Sequence, residues 1–289
     1  MRFRGTFSGI GAKITAAAAL CAFATAAYAQ STLEEIKEEG FIRIGFANEA
    51  PYGFATADGK LTGEAPEVAK AVLKEMGIEQ VDGVLTEFGS LIPGLMAGRF
   101  DMIAAGMFIT PQRCGAIDFS NPSYKVASAL LVPEGNPKGI QTYNDVAGNS
   151  DLQLAVLTGA VEKDYAEAAG VEDDQLLTLP DPPSMLKAVQ GGRADAAALT
   201  TLSISNLAEK GEGVEMVGPI EEAGEESTVG YGAFGFREDD DEFREAFNKV
   251  LADFIGSEKH KKLVWEFGFG RDFMIPDKTA AEVCGEGET

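Results

Sequence analysis

The stretch Phe88-Gly89-Ser90-Leu91-Ile92-Pro93-Gly94-Leu95-Met96-Ala97-Gly98-Arg99-Phe100-Asp101-Met102-Ile103-Ala104-Ala105-Gly106-Met107-Phe108-Ile109-Thr110-Pro111-Gln112-Arg113 decides how the rest of the chain is read. Ser90 opens a helix, Gly98 stops it, and residues 101–105 form the next strand. The joint is echoed later: Leu95-Met96-Ala97-Gly98-Arg99-Phe100-Asp101 returns as Ala188-Val189-Gln190-Gly191-Gly192-Arg193-Ala194-Asp195. Each copy reads as a helix end, a Gly-Arg-x-Asp turn and a strand, which points to two similar lobes.

Working outward, residues 41–46 alternate as a strand does, and a loop with Glu49, Pro51 and Tyr52 follows. Pro66 stands where helices begin, Val68, Val72 and Met76 share one helical face, and Gly77 ends that helix. Residues 152–157 are apolar enough for a buried strand, run into Thr158-Gly159-Ala160, and lead to a helix reaching Ala169. Strands alternating with helices predict a parallel α/β arrangement. Residues 126–132 and 229–236 read as strands that link the lobes. The second contains Gly230-Tyr231-Gly232-Ala233-Phe234-Gly235, formally G-x-G-x-x-G. A dinucleotide site needs those glycines between a strand and a helix; here the charged residues 237–242 intervene. An amphipathic helix with Phe243, Phe247, Val250, Leu251 and Phe254 follows, its acidic start favoured by the helix dipole.

The chain has 289 residues, enough for about two domains, and a formal charge of −22. Phosphate would repel so acidic a surface, which argues against nucleic acid and against an anionic membrane. The single histidine, His260, leaves no partners for a multi-histidine metal site or a triad that needs another histidine. No metal and no cofactor are expected. Residues 1–29 read as a secretory signal peptide: Arg2, Arg4 and Lys13, an apolar stretch over 14–27, and Ala27-Tyr28-Ala29 before the cleavage point. As a membrane span the stretch is short, and Leu20 before Cys21 fits a lipoprotein site poorly. Cleavage removes three basic residues and no acid, leaving −25. The exported chain then carries Cys114 and Cys284, a candidate disulfide, with two buried thiols as the alternative. Such a bridge would contribute roughly 4–5 kcal/mol by restricting the unfolded chain and would tie the C-terminal tail to the segment holding Arg113.

Gly106, Thr110 and Arg113 form Gly-x-x-x-Thr-x-x-Arg at a strand end, and Asp118-Phe119-Ser120-Asn121-Pro122 follows. This combination resembles the polar-amino-acid group of ABC-transporter substrate-binding proteins. The resemblance implies a two-lobed type II periplasmic binding protein fold with a two-strand hinge. Lobe 1 would hold residues 30–132 and 231–289, and lobe 2 residues 133–230. The chemistry of the residues agrees: Arg113 offers a planar fork suited to a carboxylate, Thr110 a hydroxyl and an N–H, and Thr158-Gly159-Ala160 a helix start that attracts an anion. In amino-acid binders the strand after Gly-Arg-x-Asp ends in an acid that holds the ligand's ammonium, but here residues 196–199 end in Thr200. A delocalised cation needs that acid less, because aromatic faces can hold it.

Glu49, Tyr52, Phe88 and Phe108 stand at cleft positions in the family. With Cys114 after Arg113, they resemble one subgroup, the ectoine/hydroxyectoine-binding proteins of ABC importers. Ectoine is a small cyclic zwitterion whose carboxylate fits Arg113 and whose cyclic amidinium fits an aromatic cage. The resemblance implies a periplasmic, non-enzymatic protein that closes on its solute and delivers it to a membrane permease. The expected ligand-binding set is Glu49, Tyr52, Phe88, Phe108, Thr110, Arg113, Thr158, Gly159 and Thr200. A polar amino-acid binder is the alternative within the family. A dehydratase-like enzyme would use Glu49 as general acid but has no adjacent base. A receptor's sensory domain would need a second hydrophobic span.

Overall fold

The computed structural model describes residues 31–224 and 226–285. The expected signal peptide and its cleavage point lie outside them. Among the described residues no helix is long and apolar enough to cross a membrane.

Two sheets organise these residues. In the first, strands Gln80–Leu85, Phe41–Phe46, Met102–Phe108 and Gly230–Phe236 lie side by side, with the short strands Asp118–Phe119 and Tyr124–Val126 beyond. The second runs Leu176–Leu179, Leu154–Leu157, Ala196–Thr200, Ser128–Pro133 and Val214–Ile220. Each has a parallel centre and one long antiparallel strand that arrives from the other lobe. Strands Ala196–Thr200 and Gly230–Phe236 are buried along their whole length. That is why they read as apolar runs rather than as alternating patterns.

Helices cover the sheets with the faces their spacing predicts. Val68, Ala69, Val72 and Leu73 of Glu64–Glu75 are buried, as are Phe243, Phe247, Leu251 and Phe254 of Asp241–Phe254. Each such aliphatic or phenyl side chain contributes roughly 1.5–3 kcal/mol on burial. Gly230 and Gly232, the first glycines of the rejected nucleotide motif, serve packing. A Cβ at either would come within 2.0 Å of the Phe108 or Tyr124 ring.

The sequence boundary of lobe 1 at residue 132 needs correction. Val126 pairs with Gly230 in the first sheet, whereas Ser128 already pairs with Thr200 in the second. The crossing therefore falls at Ala127. Hydropathy could not mark it, because the mostly apolar residues 126–132 run from one strand into the next, broken only by Ser128. On the return, Gly230 already belongs to the first sheet, one residue before the expected 231.

The echoed Gly-Arg-x-Asp joints have one geometry. The Asp101 N–H donates to the Arg43 carbonyl at 2.8 Å, and its carboxylate accepts the Arg43 N–H at 2.9 Å. Asp195 does the same with Gln153, at 2.7 and 2.9 Å. In both lobes an aspartate locks the start of one parallel strand to its neighbour. Cys114 and Cys284 form a disulfide across a sequence separation of 170 residues. It fixes the terminal helix Ala280–Cys284 to the turn Pro111–Cys114, one residue from Arg113.

Candidate functional site

The loop after strand Phe41–Phe46 turns Glu49 and Tyr52 inward, and both are buried. The Tyr52 ring packs at 5.3 Å from both Tyr124 and Phe269. Its hydroxyl donates to Thr200 Oγ1 at 2.7 Å, across to the second sheet. Burial raises the Tyr52 phenol well above its ordinary pKa. Glu49 Oε1 accepts the Ser203 hydroxyl at 2.6 Å, again from the second lobe. Burial nevertheless pushes the Glu49 carboxyl up to about 7, against the downward pull of that hydrogen bond.

Strand Met102–Phe108 delivers Phe108 at its end, and the turn Pro111–Cys114 presents Arg113. Thr110 caps this turn, its hydroxyl accepting the Arg113 N–H at 3.2 Å. Thr110 thus positions the arginine through the backbone. Arg113 Nη1 donates to the Phe108 carbonyl at 2.7 Å and Nη2 to the Gly159 carbonyl at 2.8 Å. The guanidinium carbon lies 5.6 Å from the centroid of the Phe88 ring. No carboxylate among the described residues lies within ion-pair distance of Arg113. Of its five N–H donors, three stay available for an incoming anion.

From the second lobe, strand Leu154–Leu157 leads into Thr158 and Gly159. The Thr158 hydroxyl donates to the Leu179 carbonyl at 3.0 Å, inside its own lobe. The helix start offered by the sequence as an anion site carries an acid instead. Glu162 opens the helix Glu162–Ala168, is buried, and receives a hydrogen bond from its own backbone N–H. Burial first, then the charge of Glu49, push the Glu162 carboxyl up to about 8; Arg113 pulls it down.

These groups converge on one narrow cavity of about 20 Å³ between the lobes. Six of the nine residues named from the sequence line it: Glu49, Tyr52, Phe88, Phe108, Arg113 and Thr200. Thr110 and Gly159 instead border a more open cavity of about 430 Å³ that also touches Arg113, and Thr158 lines neither. Glu162 lines the inner cavity and was missed, because an acid in a first helical turn reads as a solvated dipole partner. The available signal was its place just beyond the carboxyl end of a parallel strand, where such sheets bind ligands. Ser203, Tyr124 and Phe269, which hold Glu49 and Tyr52 in place, were also missed. A larger cavity of about 530 Å³ lies by the crossing strands, but its walls hold none of the nine.

The inner cavity is lined by a guanidinium, three aromatic rings and two carboxyls from facing lobes. A compact solute bearing both an anionic and a cationic group matches it. At about 20 Å³ the space is on the scale of a single water, so admitting a ring requires the lobes to part. The contacts Tyr52–Thr200 and Glu49–Ser203 would then be exchanged for contacts with the solute.

Comparison with known proteins fits this geometry. The family model for bacterial extracellular solute-binding proteins, family 3, matches residues 42–270. The chain is 36% identical over 285 residues to a probable amino-acid ABC transporter periplasmic-binding protein, y4tE, of Sinorhizobium fredii, covering 96% of this chain and 94% of that one. It is 29% identical over 234 residues to the L-arginine-binding protein of Pseudomonas aeruginosa, covering 77% and 85%. Among solved structures, EhuB in complex with hydroxyectoine matches with a TM-score of 0.80 and 37% identity, over 88% of this chain and 97% of that one. AncCDT-1, an ancestral amino acid-binding protein and a precursor of cyclohexadienyl dehydratase, matches with a TM-score of 0.72 and 28% identity, over 82% and 99%.

Proposed function

We propose, from the premise that this chain belongs to the bacterial extracellular solute-binding proteins of family 3, that it captures ectoine or hydroxyectoine outside the cytoplasm for an ABC importer. It is a two-lobed type II periplasmic binding protein that works by binding rather than by catalysis. Its partner is the membrane permease of the importer. The leader would be cleaved after Ala29. Lobe 1 would comprise the mature N-terminus to Val126 and Gly230 to the end, and lobe 2 the part between.

The observation that carries the ligand assignment is the convergence of Arg113 with Tyr52, Phe88 and Phe108 in the lining of one cavity. The solute's carboxylate would take the available donors of Arg113, and its delocalised cation would lie among the rings beside Glu49. The likeness to EhuB supports the same solute class. Groups from both lobes meet the ligand, so it binds the closed form better and shifts the population towards it. A permease that recognises the closed form is thereby told that cargo is present.

A second reading, a polar α-amino acid, is favoured by Glu162. This acid on lobe 2 can give an ammonium the countercharge that Thr200 lacks, and amino-acid binders are among the relatives. Calorimetry with ectoine, hydroxyectoine, glycine betaine, L-glutamine and L-arginine separates the two. Tight binding of ectoine or its hydroxylated form is expected. Binding of an amino acid with no response to either solute would overturn the assignment.

A further inference from the structure

We propose that Glu49 and Glu162, carried by opposite lobes, hold one proton between them when the cleft is shut at slightly alkaline pH, and that this proton lets the site hold a solute of zero net charge. The proposal rests on the reading above and adds to it a second, linked ligand, the proton.

The argument starts from charge in a confined space. Both carboxyls line the same narrow cavity, at 6% and 2% exposure. With both ionised, Arg113 neutralises only one, so the walls carry a net −1, which a zwitterion of zero net charge does not cancel. An uncompensated buried charge is expensive, and such groups neutralise instead. The groups acting on Glu162 are Glu49 and Arg113 from lobe 1 and Asp164 on its own helix. Glu162 in turn acts on Tyr52 and Tyr124 of lobe 1 and on Tyr143 of lobe 2. Glu64 stands behind the same two lobe 1 tyrosines. Arg113 is the one cation in this set, and its fork is also what the solute's carboxylate needs. Ser203 gives Glu49 one hydrogen bond and no charge.

In the open form both carboxyls face water and titrate near the ordinary ~4.3. Closure raises them to about 7 and about 8. Below about pH 7 closure protonates both, and between about 7 and 8 it takes up one proton, so affinity for a zwitterion falls about tenfold per pH unit from pH 7 to 8 and levels off above. Glu162 is then the residue that sets which solute charge the site accepts at a given pH. With the proton present it takes a zwitterion, and without it a solute of net +1.

The test is calorimetry of ectoine binding across this pH range, in two buffers of different ionisation enthalpy. About one proton should be taken up per ectoine bound near pH 7.5 by the wild type and well under half a proton by E162Q, whose affinity should be nearly flat between pH 7.5 and 9. Zero proton uptake in the wild type, or an unchanged slope in E162Q, would overturn the proposal while leaving the ligand assignment standing. If ectoine fails to bind at every pH, the ligand assignment falls, and X-ray scattering of the protein alone decides the proton pair. A radius of gyration that shrinks between pH 9 and 7.5 in the wild type but not in E162Q supports it; no pH response in either, or the same response in both, sinks it.

Discussion

Gly89 and Gly159 meet backbone to backbone across the cleft: a Cβ on Gly159 would lie 2.6 Å from the Gly89 Cα. Gly159 also has φ +78°, where side chains are disfavoured. Its carbonyl receives Arg113 Nη2, so this close approach between the lobes sits beside the arginine. Two glycines let the chains approach closely enough for both to hold.

Gly159→Ala should therefore hold the lobes apart. Ectoine affinity is expected to fall by at least ~10-fold, from the ~1–2 kcal/mol of a left-handed alanine plus the clash. Calorimetry measures the affinity and scattering the degree of closure. A variant that closes and binds as the wild type does would show that this contact is not limiting.

Arg113→Ala should remove at least ~2–3 kcal/mol of binding, the scale of a lost charge-assisted pair. Arg113→Lys should rescue only part of it, because an ammonium cannot span the Phe108 and Gly159 carbonyls and a carboxylate together. Isothermal titration on both variants, with thermal melts to confirm folding, gives the comparison.

Phe108→Leu keeps apolar volume but removes a π-face. Affinity for ectoine is expected to weaken by up to ~2 kcal/mol, while the melting temperature drops modestly through lost packing against Tyr124. An unchanged affinity would argue against a cage that includes this ring.

Glu64 is buried at the start of the helix Glu64–Glu75, and its carboxyl oxygens lack a hydrogen-bond partner of ordinary geometry. Burial pushes it up to about 8, the nearby Ser123 hydroxyl offsetting only part. Its folded pKa lies above the unfolded ~4.3, so the folded state binds more protons between these values and stability falls as pH rises through them. Glu64→Gln should therefore stabilise the protein near pH 8 by at least ~1 kcal/mol and have little effect near pH 5. Chemical denaturation at the two pH values reads this directly, and an equal effect at both would contradict it.

Much of the site was legible because its parts cluster in the sequence. Phe88, Phe108 and Arg113 fall within one helix–strand–turn unit, and Glu49 and Tyr52 within one loop, so the family resemblance carried by those two segments sufficed to pick them. Thr110 and Thr158 were picked by the same logic, yet each hydroxyl is used locally, one capping the turn that carries Arg113 and the other bonding the Leu179 carbonyl. A hydroxyl's direction depends on the nearest unpaired partner, which spacing along the chain does not reveal. Glu162 escaped for the opposite reason: its residue type and place fit an ordinary solvated helix start.

The amino-acid sequence by itself determined the α/β alternation, the doubled lobe, and the residue types that recognise a solute of mixed charge. Apolar periodicity, glycine stops and the repeated Gly-Arg-x-Asp joint are short-range signals that survive without coordinates. Only the tertiary structure decided that the chain crosses between sheets at Ala127, that Tyr52 meets Thr200, and that Glu49 and Glu162 share one cavity. Those facts depend on residues brought together from distant parts of the chain, where burial and charge act through space.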